Sequence, residues 1–315
     1  MDHLAQLIAR RCGARTARRG RRIQSVWSGY GELLRYHLTG GPMDSVVVKS
    51  VCPPDREGFA HRRKLRSYDV ELAWYRDHAS SLDDSCRIPQ CFYAEARGGR
   101  WLFVLEDLDA AGFTVRTRDP SDAGLFACAR WLARFHARFL QTPPDGVWPT
   151  GTYWHLATRP DELAAMAEGP LRDGANAIAG RLAQAQWQTW VHGDAKPVNF
   201  CFTESGGAVA GVDFQYLGGG VGVSDLAYLL AGCDASTTGR GQEVYFDALR
   251  RALAQRRDFE PAVDIDAVER EWRALYDWAW ADYERFIAGW APGRRSLGHE
   301  QARVKAVLNK LVARR

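Results

Sequence analysis

The order of apolar and polar positions divides the chain into a strand-rich first third and a helix-rich remainder. Before residue 108, short apolar runs bounded by glycine and proline predict five strands, and one stretch with helical spacing follows the third of them. The predicted strands are 22–27, 32–38, 45–51, 88–94 and 101–105, and the predicted helix is 59–79. This order predicts a small α+β lobe.

Beyond residue 108 the apolar spacing becomes predominantly helical. Ser121 can cap a helix whose apolar face includes Leu125, Leu132, Phe135 and Phe139. Further helices are predicted at 224–230, 243–255, 266–287 and 300–312, and short strands at 188–191, 199–202 and 208–212. The pattern therefore predicts a strand-rich N-terminal lobe of residues 1–107 and a larger, mainly helical C-terminal lobe of residues 108–315.

The short strands of the second part carry the most informative residues. His192-Gly193-Asp194 is followed five residues after the aspartate by Asn199, and Asp213 stands at the end of the next apolar run. An Asp that orients and deprotonates a hydroxyl group, with an Asn and a second Asp that hold magnesium, is a residue set suited to phosphoryl transfer. Asp194 is thus the candidate catalytic base, and Asn199 and Asp213 are the candidate metal ligands. The alternative for Asp194 and Asn199 is that each caps a turn.

Together with its flanking segments, this motif resembles the kinase-like phosphotransferases that act on small molecules, namely the aminoglycoside phosphotransferases, the choline kinases and, most closely, the ecdysteroid-kinase-like group. The matching segments are Val48-Lys49, Glu71–Tyr75, Leu105–Leu108, His192–Asp194 with Asn199, and Val212–Gln215. The resemblance covers about residues 22–290 and implies an α+β, bilobal protein-kinase-like fold. It also implies an enzyme that uses ATP and Mg²⁺ to transfer a γ-phosphoryl group to the hydroxyl group of a small molecule.

The resemblance also assigns expected roles in the first lobe. Lys49 ends a strand with three consecutive valines, where an ammonium group can lie against phosphate oxygens. The resemblance implies that Lys49 contacts the α- and β-phosphates and pairs with an acid of the following helix, for which Glu71 is the candidate. It further implies that Glu106, Asp107 and Leu108 form a hinge whose backbone groups bind adenine. The alternative for Lys49 and Glu71 is a pair of solvated surface side chains.

Two glycines and a lysine complete the candidate site. Gly29 and Gly31 lie in a turn where backbone amides can approach phosphates, because glycine has no blocking side chain, although an ordinary hairpin turn explains them equally well. Lys196, two residues after Asp194, is a candidate to neutralise charge on the transferred phosphoryl group. Its alternative is a surface lysine ahead of Pro197.

Composition bounds the class of protein. The chain of 315 residues is 46% hydrophobic and 25% charged, and no apolar run is long enough to span a membrane. Seven cysteines without a CxxC pair are typical of reduced thiols, and the first residues lack the order of a secretory signal, so we expect a cytoplasmic protein. The arginines between Arg10 and Arg22 are not interleaved with aromatic residues, which favours a solvated helix or arm over a nucleic-acid site.

Other functions stay open at this point. A kinase-shaped protein that binds nucleotide without transferring phosphate is expected to have degenerate metal residues, and all are present here. A protein kinase is disfavoured by Gly193 and by the lack of an Ala-Pro-Glu segment after Asp213. The acceptor is open among aminoglycoside, choline-like amine, steroid and sugar alcohols, and no oligomeric state is indicated. Aromatic residues of the predicted helix 266–287 are candidates for the acceptor pocket, with an ordinary core stripe as the alternative.

Overall fold

The computed structural model describes residues 3–26, 29–256, 263–294 and 297–313. The chain forms two compact units, Met1–Arg116 with Phe200–Gln215, and Thr117–Asn199 with Tyr216–Arg315. The prediction of a kinase-like fold with a strand-rich first part and a helical second part is confirmed. Within the described ranges, no helix is both long enough and apolar enough to cross a membrane.

The first unit is built on a five-stranded antiparallel sheet with the strand order β1-β2-β3-β5-β4. Helix α1 (His3–Arg11) precedes the sheet, and α2 (Phe59–Ala73) follows the third strand, where the sequence predicts a helix. The strands are β1 (Thr16–Val26), β2 (Gly31–Thr39), β3 (Ser45–Val51), β4 (Cys91–Arg97) and β5 (Arg100–Glu106).

The alternation of side chains along β3 explains how a lysine is placed within an apolar strand. Val46 and Val48 point to one face of the sheet, where they pack in a core cluster with Ile8 of α1. Successive side chains of a strand point to opposite faces, so Lys49 stands on the other face. There its ammonium group meets α2. The strand thus contributes to the core on one face and to the candidate site on the other.

The arginine-rich segment differs from its prediction as a solvated helix or arm. Its first two arginines end α1, and the others lie in or next to β1, which begins at Thr16 rather than at residue 22. Because β1 is an edge strand with both faces largely exposed, its arginines reach solvent without being buried. Charged side chains on an edge strand also oppose pairing with other chains. The predicted last residue of this strand, Trp27, lies outside the described residues, as does Ser28.

A second hairpin of the first unit carries one of the candidate metal ligands. Strands β7 (Phe200–Phe202) and β8 (Val209–Gly211) pair antiparallel, and Asp213 follows them directly. Helix α2 ends at Ala73, earlier than predicted, and continues as a π-helical turn, Trp74–His78. The ring of Trp74 stacks on Phe214 with centroids 4.7 Å apart. The residue next to Asp213 is thereby packed against the end of α2.

The second unit is mainly helical. Its helices are α3 (Asp122–Phe139), α4 (Pro160–Ala165), α5 (Pro170–Asp173), α6 (Ala175–Ala183), α7 (Val223–Leu229), α8 (Ala235–Gln255), α9 (Ile265–Trp290) and α10 (Gly298–Val312). A two-stranded ladder joins β6 (Thr189–Val191) to β9 (Gly218–Gly220). The apolar pattern of the sequence did not predict α4, α5, α6 or β9. Ser121 caps α3 as predicted, with its hydroxyl oxygen accepting from the amide of Gly124.

Candidate active site

The first unit contains a buried ion pair between Lys49 and Glu71. The ammonium nitrogen of Lys49 donates to both carboxylate oxygens of Glu71, at 2.7 and 2.6 Å. The two residues are 7% and 2% exposed. Burial raises the pKa of Glu71, and the positive charge of Lys49 opposes that effect. The pair brings together the lysine and the acid that the sequence singled out, and neither is a solvated surface side chain.

Asp213 lies beside this pair. Its Oδ1 is 4.0 Å from the ammonium nitrogen of Lys49, and its side chain is 41% exposed, far more than that of Glu71. The backbone of Asp213 has a φ of 68°, in the left-handed region that costs a non-glycine residue about 1–3 kcal/mol. An exposed carboxylate held in a strained conformation next to a buried cation is typical of a functional site rather than of a folding motif.

Gln215, two residues after Asp213, connects this segment to the ion pair and to other residues of α2. Its side-chain amide donates to Glu71 Oε2 at 3.2 Å, and its side-chain oxygen accepts from Lys64 and Ser67. Gln215 is 5% exposed, so these bonds are sheltered from water. The motif Val212–Gln215 contains this residue, but its sequence context alone implies no role for it.

In the second unit, Asp194, Lys196 and Asn199 form a compact cluster. Oδ2 of Asp194 accepts from the ammonium of Lys196 at 2.9 Å and from the amide of Asn199 at 2.8 Å. The same Asn199 amide also donates to the backbone oxygen of Asp194, at 2.8 Å. Asp194 and Asn199 are each 7% exposed, whereas the Lys196 side chain is 38% exposed. The cluster therefore contains a carboxylate with a cation beside it that is still reached by solvent.

Hydrogen bonds to Asp225 of α7 hold the backbone of the loop that carries Asp194. Asp225, which is fully buried, accepts from the backbone amides of His192 and Gly193, at 2.6 and 2.9 Å. It also bonds to His136 of α3, at 3.1 Å. These bonds brace the loop, and Asp225 lies in the first turn of α7. His192 is fully buried, consistent with a role in shaping the loop.

The remaining predicted residues of the first unit have evident structural contacts. Gly31 is required by packing, since a Cβ there would lie 2.1 Å from the backbone oxygen of Ser50, whereas a Cβ on Gly29 meets nothing within 4 Å. Glu106 accepts from Arg87 and from the backbone amide of Gln90. Asp107 accepts from Arg35. Leu108 packs in a core cluster with Cys201 and Ala210. These contacts fix the segment 106–108 through its side chains and leave the predicted hinge role of its backbone as a prediction.

The oxygen donors present fit magnesium. Mg²⁺ prefers oxygen ligands and in nucleotide sites is held by one or two side chains together with phosphate oxygens. Asp213 supplies an exposed carboxylate, and Asn199 uses its amide nitrogen toward Asp194, which turns its amide oxygen away from that residue. Within the residues that the structure describes, no three His, Cys, Asp or Glu side chains form a ready-made metal cage. Each of these donors suits Mg²⁺ whose other ligands are phosphate oxygens.

Two tyrosines near Asp194 were not identified from the sequence. The ammonium of Lys196 lies 5.9 Å from the ring centroid of Tyr153, whose ring is 6.0 Å from that of Tyr228. Burial raises the pKa of both phenols, and the negative charge of Asp194 adds to the shift. Both phenols therefore keep their protons, and the two side chains hydrogen-bond to each other. No local sequence pattern marks these tyrosines, because their proximity arises from packing between α7 and the loop after α3.

The aromatic residues of α9 proposed for the acceptor pocket are mainly core residues. Trp272, Tyr276, Trp280 and Tyr283 are at most 3% exposed. A cavity of about 600 Å³ does open next to this helix, between the segment 166–172, the end of α9 and α10. Its wall includes the buried carboxylate of Glu284 beside apolar side chains. A cavity with apolar walls and a few polar groups is the usual form of a small-molecule site.

Solved structures are similar to this chain at low sequence identity. A protein assigned as a fructosamine-3-kinase, from Thermobifida fusca YX-ER1, is 17% identical over 98% of each chain, with a TM-score of 0.52. A Plasmodium vivax ethanolamine kinase is 13% identical over 94% of this chain and 81% of that one, with a TM-score of 0.46. An aminoglycoside phosphotransferase from Streptomyces rimosus ATCC10970, in complex with ADP and streptomycin, is 17% identical over 88% and 99% of the two chains, with a TM-score of 0.43.

The fold and the residue clusters define a kinase-like protein. The model of the phosphotransferase enzyme family matches residues 22–262. The chain therefore belongs to that family. No curated protein is significantly similar to it in sequence.

Proposed function

We propose that the protein is an ATP- and Mg²⁺-dependent phosphotransferase that moves the γ-phosphoryl group to the hydroxyl group of a small molecule. The observation that carries the proposal is the buried pair of Lys49 and Glu71, with the strained and exposed Asp213 at 4.0 Å from the same ammonium group. A cation that is buried and already oriented, next to an exposed carboxylate, suits a metal-bound polyphosphate. Membership of the phosphotransferase family supports this assignment.

In this proposal each cluster has its own task. Lys49 binds phosphate oxygens while Glu71 holds its ammonium group in place. Asp213 and Asn199 hold Mg²⁺, which neutralises charge on the phosphates. Asp194 orients the acceptor hydroxyl group and takes its proton, and Lys196 stabilises negative charge on the transferred group. The acceptor oxygen attacks the γ-phosphorus as the bond to the β–γ bridging oxygen breaks, so ADP leaves and no phosphoenzyme is needed.

A non-catalytic nucleotide-binding scaffold is the rival function, followed by a protein kinase. The scaffold is disfavoured because Asp194, Asn199 and Asp213 all keep the chemistry that transfer requires. The same proposal includes membership of the ecdysteroid-kinase-like group, which the Asp-Phe-Gln and Glu-x-x-x-Tyr segments support. It also includes a cytoplasmic location, which the free cysteines support. The acceptor class within small-molecule alcohols is left to a substrate screen.

Nucleotide binding tests the proposal most directly, because a failed acceptor screen has more than one explanation. We expect isothermal titration calorimetry to show ATP binding by the wild-type protein that strengthens with Mg²⁺, and the Mg²⁺ effect to be lost in Asp213→Ala. The variant removes an exposed ligand, so its fold should survive, which circular dichroism checks. Binding that ignores both Mg²⁺ and Asp213, or no binding, would contradict the proposal.

A further inference from the structure

The segment that follows Asp213 is attached to α2 at two successive residues. Phe214 is fully buried and stacks on Trp74 at 4.7 Å. Gln215 reaches the same helix further toward its start, at Lys64, Ser67 and Glu71. These three positions differ by three and four residues, so they stand on one face of the helix. The helix therefore fixes the main chain directly beyond the strained residue.

A glutamine meets all three partners because its amide group both donates and accepts. Its oxygen accepts from Lys64 and, more weakly, from Ser67, whose hydroxyl group also donates to the backbone oxygen of Lys64 at 2.7 Å, and its nitrogen donates to Glu71. An aliphatic side chain of the same length would supply neither function. A carboxylate would keep the contact with Lys64 but would bring a second negative charge against Glu71.

The contact with Glu71 has a consequence for Lys49. Glu71 Oε2 accepts from Lys49 at 2.6 Å and from Gln215 at 3.2 Å, so two donors fix the rotation of this carboxylate. When Lys49 binds phosphate it divides its hydrogen bonds between the nucleotide and Glu71. The bond from Gln215 remains and keeps the carboxylate aimed at Lys49.

We infer that Gln215 is a positioning residue that couples the phosphate-binding pair to the metal ligand. Through Glu71 it orients Lys49, and through its own backbone it holds Asp213 in the left-handed conformation. This role rests on the proposed function, since it assumes that Lys49 and Asp213 bind a metal-nucleotide complex. It predicts an effect on Mg-ATP affinity that is transmitted by Glu71.

A double-mutant cycle tests this transmission. Mg-ATP affinity is measured by calorimetry for the wild type, Gln215→Leu, Glu71→Gln and the double variant. Loss of one hydrogen bond to a charged group predicts a roughly tenfold or greater weakening for Gln215→Leu. Because Gln215 acts through Glu71, the double variant should bind no more than about twofold more weakly than Glu71→Gln alone.

Two further variants separate positioning from a general loss of packing. Gln188→Leu removes a side-chain amide that donates to backbone carbonyls after α6, at Leu182, Ala183 and Ala185, and should leave Mg-ATP affinity unchanged. Gln215→Glu keeps the length and an accepting oxygen of the side chain but, as a carboxylate, cannot donate to Glu71, so it should bind Mg-ATP at least as weakly as Gln215→Leu although its packing is nearly unchanged.

The outcomes are distinct. A folded Gln215→Leu variant with wild-type affinity, or effects of the two substitutions that simply add, would overturn the positioning role while leaving the proposed function in place. A wild-type protein that does not bind Mg-ATP would overturn the proposed function, and the role of Gln215 with it. Coupled effects, with weak binding by Gln215→Glu and wild-type affinity for Gln188→Leu, would support it.

Discussion

At the scale of single residues, three carboxylates of the candidate site differ in how far they are exposed. Glu71 is 2% exposed and bonded to Lys49, which suits a fixed counter-ion, whereas the Asp213 side chain is 41% exposed, which suits a ligand that receives a metal complex. Asp194 is 7% exposed and shares its Oδ2 between Lys196 and Asn199. The sequence supplied the identity of these groups, but burial is a property of the folded chain.

Asp194→Asn tests the assignment of the base. The amide keeps the size of the side chain but cannot take a proton, and general-base catalysis typically contributes about 10²–10⁴-fold in rate. We expect transfer from radiolabelled ATP to a panel of amino, sugar and steroid alcohols to fall by about that factor, with Mg-ATP affinity changed only a few-fold. Near-full turnover in the variant would show that Asp194 is not the base.

At the scale of elements, the loop 192–194 depends on contacts that no local pattern encodes. Gly193 has a φ of 79°, and a Cβ at this position would lie 2.1 Å from the backbone oxygen of Tyr216. The nearby strand β9 consists of three glycines, which intrinsic strand propensity disfavours. It forms because glycine allows a close approach, since a Cβ on Gly218 would lie 2.3 Å from the backbone oxygen of Trp148. This is why the sequence analysis missed β9 although it found its partner β6.

Gly193→Ala should destabilise the second unit by about 2 kcal/mol or more, because it adds both backbone strain and a clash with main-chain atoms. The matched control is Gly180→Ala in α6, where a Cβ meets nothing within 4 Å. Alanine favours a helix over glycine by about 0.5–1 kcal/mol, so the control should stabilise slightly. Urea unfolding of the two variants measures the difference, and equal stabilities would contradict the importance of this contact.

At the scale of the whole molecule, helices and strands could be predicted from the sequence better than the cavity and the contacts between distant segments. A β-branched apolar run predicts strand β3 and the apolar face that follows Ser121 predicts helix α3, and both are present there. Glu71 lies in α2, the helix that follows β3. The cavity beside α9 and the bonds of Gln215 join residues that are distant in sequence. Such contacts depend on tertiary packing, which a single sequence does not specify by pattern.

The charge balance of the molecule also makes its stability depend on pH. With 42 Lys and Arg against 38 Asp and Glu, protonation of the carboxylates in acid leaves a strongly positive chain. Asp107 shows how a single group contributes to this dependence. Burial alone would raise the pKa of Asp107, but hydrogen bonds from Arg35 and Ser45 outweigh it and hold the pKa below its usual value.

A carboxyl group with a lowered pKa in the folded state stabilises the protein above its unfolded pKa of about 3.9, and this contribution disappears as the pH falls through the folded value. Asp107→Asn should therefore reduce the free energy of unfolding by about 2 kcal/mol at neutral pH, since it weakens bonds to a charged partner. The deficit should shrink in acid, where the wild-type carboxyl is itself protonated.

The control Asp247→Asn breaks an exposed pair with Arg251, at 3.9 Å, and should change stability by less than about 0.5 kcal/mol at either pH. Urea unfolding at both pH values measures these differences, and a deficit for Asp107→Asn that persists unchanged in acid would mean that the ionised carboxylate does not contribute to stability.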